Sequence, residues 1–154
     1  MKLLLKYSFI FLVINFGALA IGNWLMANGP QTQWYLNLNK APWTPPGWVF
    51  GVAWTTIMLC FSIYMAYLYK LKPTATVLSL FTVQFILNTI WGYLFFNIHL
   101  VGLSLTVIVL LTFVIAVFAV LFKNLLKAKT LLILPYLIWL CIATSLNGYI
   151  VLNN

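Results

Sequence analysis

LSLTVIVLLTFVIAVFAVLF, residues 103–122, runs for twenty residues without a charge, and its only polar groups are the hydroxyls of Ser104, Thr106 and Thr112. As a helix such a run is about 30 Å long, the thickness of a bilayer's hydrocarbon core. A barrel strand would need about ten residues and would alternate apolar with polar side chains, which this run does not. Reading outward, four more runs of the same kind appear, so that helices are expected over about 3–26, 47–69, 74–97, 100–122 and 130–152. The sequence predicts an all-α integral membrane protein, a five-transmembrane-helix bundle forming one domain over residues 1–154.

Composition agrees. Of 154 residues, 65% are apolar and 5% charged, against roughly 45–50% and 25% in soluble domains. Mean hydropathy is +1.09. Eight Lys and nothing else charged cannot make a water-soluble surface, so lipid is the main solvent. With no Asp or Glu, paired-carboxylate hydrolysis, a Ser-His-Asp triad, a carboxylate-held Mg²⁺ or Ca²⁺ and an acidic proton relay are excluded. His99, Cys60 and Cys141 give at most three metal ligands, and no metal site is expected. Nucleic acid is not an expected partner of the +8 charge, because the Lys residues are separated by long apolar runs rather than gathered on a soluble face.

The first run begins with Lys2 and Lys6 and resembles a signal peptide, but Leu3 to Ala20 is longer than a usual signal core. It is read as a retained first helix. Lys2, Lys6, Lys70, Lys72, Lys123, Lys127 and Lys129 fall at one end of the expected bundle and only Lys40 at the other. The excess of Lys marks the cytoplasmic side. The N-terminus is therefore expected in the cytoplasm, in a bacterial cell membrane.

Three connections are short. The fourth, residues 27–46, carries Pro30, Trp34, Tyr35, Pro42, Trp43, Pro45 and Pro46. Flexible linkers are rich in Gly and Ser. This one has rings to bury and is expected to fold over the bundle as a lid, with a short helix around Gln33 to Asn39. Long ordered loops of this kind are usually functional.

Helical spacing places Gln84, Asn88, Trp91 and Phe95 on one stripe and Tyr136, Trp139, Ala143 and Asn147 on another. Ser8, Asn15 and Gly22 share a face of the first helix, and Gly47, Gly51, Trp54 and Met58 a face of the second. The fourth helix looks mostly lipid-facing. Each polar residue also reads as interhelical glue, and each ring as part of an interfacial belt. Trp54, Trp91 and Trp139 lie too deep in their spans for the belt, and with the amides they outline a pocket for a large flat apolar ligand. Gly47-xxx-Gly51 fits a turn-and-packing role better than a dimer seam. His99 reads as a solvated turn residue or, more sharply, as an axial haem ligand. Leu59, Tyr64 and Lys70 fit a loose sterol-contact pattern.

Ala41-Pro42-Trp43-Thr44-Pro45-Pro46-Gly47-Trp48-Val49-Phe50-Gly51, followed by Trp54, resembles the signature of the TspO/MBR family, the tryptophan-rich sensory proteins related to the mitochondrial translocator protein or peripheral benzodiazepine receptor. Gln84-x-x-x-Asn88-x-x-Trp91 with Phe95-Phe96 is similar to the family's third helix, and Pro135-Tyr136-x-x-Trp139-x-x-x-Ala143-x-x-x-Asn147 to its fifth. The resemblance spans nearly the whole chain. It implies a five-helix bundle, commonly a homodimer, with a pocket under the first long loop and ligands such as protoporphyrin IX. It implies ligand-binding positions at Tyr35, Pro45, Pro46, Trp54, Asn88, Trp91, Trp139 and Ala143. The C-terminus departs from the family's sterol pattern.

Two leading functions follow as expectations, beside a purely structural or regulatory membrane role in which porphyrin binding is incidental. One is a membrane receptor or carrier that binds porphyrins and related flat apolar ligands, with a sensory or transport role and no required cofactor. The other is a light- and oxygen-dependent porphyrin-degrading enzyme, for which the resemblance points to Trp54 and Trp139.

Overall fold

Inside a bilayer the backbone has no water to bond to, so each spanning segment must satisfy its own N–H and C=O groups as a helix. The computed structural model, which describes residues 1–154, is built this way and contains no strand. The helices are α1 (Lys2–Leu25), α2 (Gln33–Asn37), α3 (Gly47–Leu71), α4 (Ala75–Gly92), α5 (Val101–Leu126) and α6 (Leu134–Asn153). A single π turn, Tyr93–Asn97, extends α4, and a 3-10 segment, Lys127–Ile133, joins α5 to α6. Four continuous helical stretches are long and apolar enough to cross a membrane. The last, Val101–Asn153, has 53 residues, about 80 Å if straight. It doubles back at Lys127, where φ is +51°, and so supplies two spans. The protein is therefore a multi-pass membrane protein of five long helices with α2 in the lid.

Contacts between named side chains fix the helix directions. Tyr7 meets Tyr69 and Asn15 meets Ser62, so α1 and α3 run antiparallel. Phe50 meets Trp139 and Trp54 meets Tyr136, so α3 and α6 do too. Ser104 with Asn147 and Thr112 with Thr144 set α5 against α6 in the same sense. The directions put Lys2, Lys6, Lys70, Lys72, Lys123, Lys127 and Lys129 at one end. There Lys72 lies over the Phe122 ring and Lys129 over the Tyr67 ring, at 5.7 and 4.8 Å. In a chain without carboxylates these ring faces partner the ammonium groups.

The core runs through Phe11, Phe61, Tyr64, Phe81, Phe118 and Tyr136. The Tyr64 hydroxyl donates to the Phe118 carbonyl at 2.9 Å, and the ring is fully buried. The Leu59–Tyr64–Lys70 pattern therefore does not present its ring to lipid. Most of α5 is exposed or half-buried, as expected of a lipid-facing helix, but Ser104, Ile108, Leu111, Ile115, Phe118 and Phe122 form a buried stripe along it. In lipid both faces of a helix are apolar, so hydropathy carries no sign of which one packs. The long helices otherwise overlap the expected spans, with α5 reaching Leu126 rather than 122 and α6 starting at Leu134 rather than 130. Pro135 is tolerated in the first turn of α6, where its missing N–H has no intrahelical partner to lose.

Candidate ligand-binding site

The lid starts where α1 is broken by two residues in the left-handed region, Ala27 (φ 48°) and Asn28 (φ 58°). Gly29 then presses against Phe96, and a Cβ there would collide with that side chain. Thr32 caps the five-residue α2: its hydroxyl accepts from the Tyr35 N–H at 3.4 Å and donates to the Gly29 carbonyl at 2.7 Å. At the other end of α2 the Lys40 ammonium donates to the Tyr35 and Leu36 carbonyls, at 2.9 and 3.1 Å. The expected short helix thus forms over Gln33–Asn37.

Rings and amides fasten this lid to the bundle. Trp34 stacks on His99 at 3.8 Å, Tyr35 lies against Phe96, and the Trp43 indole donates to Ser145 Oγ at 3.2 Å while its ring meets Tyr149 edge-on. Asn154 brackets Asn39: its Oδ1 accepts the Asn39 N–H at 2.8 Å, and its Nδ2 donates to the Asn39 carbonyl at 3.2 Å. Asn97 Nδ2 donates to the Leu25 carbonyl at 3.0 Å, satisfying one of the free carbonyls that end α1.

Beneath the lid, between α1, α3 and α4, is a cavity of about 600 Å³, within the range of about 300–1,000 Å³ typical of small-molecule sites. Tyr35, Pro45, Trp54, Asn88 and Trp91 line it. Phe50 and Phe96 add rings, and Lys40 is the one charged residue on its wall. Gly47 and Gly51 also line it, and a Cβ at either would meet nothing within 4 Å. Their spacing leaves room in the cavity rather than bringing helices together. Burial lifts the Tyr35 phenol above the ordinary tyrosine range, so it is neutral at physiological pH and able to donate a hydrogen bond.

Three expected positions lie elsewhere. Pro46 is exposed as the N-cap of α3. Trp139 and Ala143 are buried on α6 and do not line the cavity. Phe50 stands between: it lines the cavity with one side, and its ring meets Trp139 edge-on at 5.1 Å. The Trp139 Nε1 is buried without a partner. His99 borders a different groove, at the outer edge of α2 and α5, and not this cavity.

The polar stripes divide by use. Asn15 donates to Ser62 Oγ at 2.8 Å and Tyr136 to Gln84 Oε1 at 3.2 Å, both buried. Asn147, turned so that both ends of its amide are satisfied, accepts from Trp91 Nε1 at 3.2 Å and from Ser104 Oγ at 2.8 Å, and donates to the Val101 carbonyl at 3.2 Å. These amides join helices. Asn88 instead lies on the cavity wall. The contribution of α1, through Gly22, Asn23 and Met26, is not read from spacing beyond Gly22. Phe50 was detectable as the residue four before Trp54, hence on the same helix face.

The TspO/MBR family model matches residues 9–152. The tryptophan-rich sensory protein of Cereibacter sphaeroides is 34% identical over 115 residues, which cover 75% of this chain and 73% of that one. Protein CrtK of Rhodobacter capsulatus is 35% identical over 118 residues, 74% of each chain. The translocator protein of Homo sapiens is 30% identical over 125 residues, 78% of this chain and 74% of its own.

Proposed function

The chain belongs to the TspO/MBR family, and from that premise we propose that it is a membrane receptor or carrier for porphyrins of the protoporphyrin IX type and similar flat apolar molecules. The observation that carries this reading is the 600 Å³ cavity walled by Tyr35, Phe50, Trp54, Trp91 and Phe96 with the Asn88 amide among them. Rings with a few polar groups suit a flat macrocycle, and the Asn88 amide suits its orientation. The role is sensory or transport, as the names of the bacterial and human relatives indicate for those proteins. Porphyrin is a ligand here, with no resident cofactor required. The reading includes a homodimer and a bacterial cell membrane with the Lys-rich end in the cytoplasm.

Titration of the purified protein with protoporphyrin IX in darkness tests it. Saturable binding with stable absorbance is expected, and its absence would sink the reading. A second reading, degradation of bound porphyrin in light and oxygen, is favoured by one feature: two oxidisable indoles, Trp54 and Trp91, line the cavity. Illuminating the same titration separates the two.

A further inference from the structure

Lys40 is held at the cavity wall in one place. Two of its three N–H donors go to the carbonyls of Tyr35 and Leu36, and the ammonium lies 4.8 Å from the centre of the Tyr35 ring. One donor remains, on a half-buried side chain that lines the cavity. The chain has no Asp or Glu to neutralise it, and the other seven Lys are at the far end of the bundle. As the cap of a helix end, Lys40 bonds the last carbonyls and meets the helix dipole favourably. What an ammonium adds is a fixed positive charge beside an otherwise uncharged aromatic chamber.

Resting on the reading that this chamber is a ligand site, we propose that Lys40 is its anion-recognising residue and that its ligands are flat aromatic molecules carrying a carboxylate at one edge. The ring system lies among Phe50, Trp54 and Trp91. The carboxylate stays under the lid and accepts the free Lys40 N–H, a charge-assisted bond stronger than one between neutral groups. Neutral ligands of the same shape fill the chamber without using Lys40.

The test compares protoporphyrin IX with its dimethyl ester, which keeps the macrocycle and blocks both carboxylates. Binding to the full chain in phosphatidylcholine nanodiscs is measured in darkness, each compound being referred to its partition into empty nanodiscs. Wild-type protein should prefer the acid at least tenfold, and Lys40→Gln should bring the acid down to the ester's affinity. Lys40→Arg should keep the preference. Equal affinity of wild type for acid and ester would overturn the proposal and leave porphyrin binding standing. Loss of acid and ester alike in Lys40→Gln would also overturn it, reducing Lys40 to a cap on α2. No saturable binding of either compound would remove the underlying reading and this one with it.

Discussion

The indole Nε1 of Trp91, whose ring lines the cavity, lies 3.2 Å from the amide oxygen of Asn147, which does not line it. The same amide meets Ser104 and the Val101 carbonyl on α5. One buried side chain, 2% exposed, therefore joins α4, α5 and α6 and fixes the attitude of a cavity ring from behind.

Asn147→Ala strands that indole N–H and should destabilise the bundle by about 1–2 kcal/mol, between the usual worth of an intramembrane hydrogen bond and the cost of a stranded donor. Thermal unfolding in detergent reads the loss. Trp91→Phe removes the donor, so it should cost less in the Asn147→Ala background than in wild type. Strict additivity of the two substitutions would show that the bond does not couple them.

The α1–α3 contact gives an ordering. Asn15 donates to Ser62 Oγ, while the Ser62 hydroxyl donates back to the Met58 carbonyl at 2.6 Å. Ser62→Ala leaves a buried amide without its acceptor, whereas Asn15→Leu leaves no stranded donor. Ser62→Ala should therefore be the more destabilising, by about 1 kcal/mol. Unfolding of both variants in detergent checks this, and the reverse order would refute it.

The contrast between α5 and the lid explains what could be read from sequence. Five spans follow from charge-free length alone, and the lid from its rings and prolines. Tyr35, Pro45, Trp54, Asn88 and Trp91 meet at one cavity because each lies on an inward face or in the lid. Spacing cannot reveal depth within the bundle, however. Trp139 shares the inward stripe of α6 and is still screened by Phe50. The buried face of α5 is unreadable because lipid and core accept the same residues. The turn at Lys127 depends on a positive φ at a residue that is not Gly, for which composition gives no warning.

The orientation proposal is open to direct labelling. Gln31 and Ala128 are exposed, one in the lid and the other at the Lys-rich end. With Cys60 and Cys141 replaced, Gln31→Cys should react with an impermeant maleimide from outside intact cells. Ala128→Cys should react only after the membrane is broken. The opposite pattern would invert the topology.

Asn88 and Asn23 are the amides on the cavity wall, Asn88 on the inward stripe of α4, where the amides of Asn15, Gln84 and Asn147 are bonded between helices. Asn88→Ala should weaken protoporphyrin IX binding about tenfold, or about 1.4 kcal/mol, with the unfolding temperature near that of wild type. Unchanged affinity would show that the amide does not orient the ligand.

Trp54 and Trp139 separate binding from photochemistry. Trp54 lines the cavity, and its ring also meets Tyr136 edge-on at 6.1 Å. Trp139 is behind Phe50. Phe keeps a flat ring but loses the indole's larger area and its oxidisable N–H. Stacking of rings contributes about 0.5–1.5 kcal/mol beyond area burial, so Trp54→Phe should weaken porphyrin binding about tenfold or less. Trp139→Phe, which removes only a screened ring with an unpartnered Nε1, should change binding little. For a receptor, illumination should bleach bound porphyrin no differently in wild type and in either variant. For a degrading enzyme, wild type should yield one defined product, and a cavity-lining indole, Trp54 or Trp91, should be needed for it. Retention of that product in Trp54→Phe, with its loss in Trp139→Phe, would show that the screened indole takes part and would overturn the placement of Trp139 outside the working site.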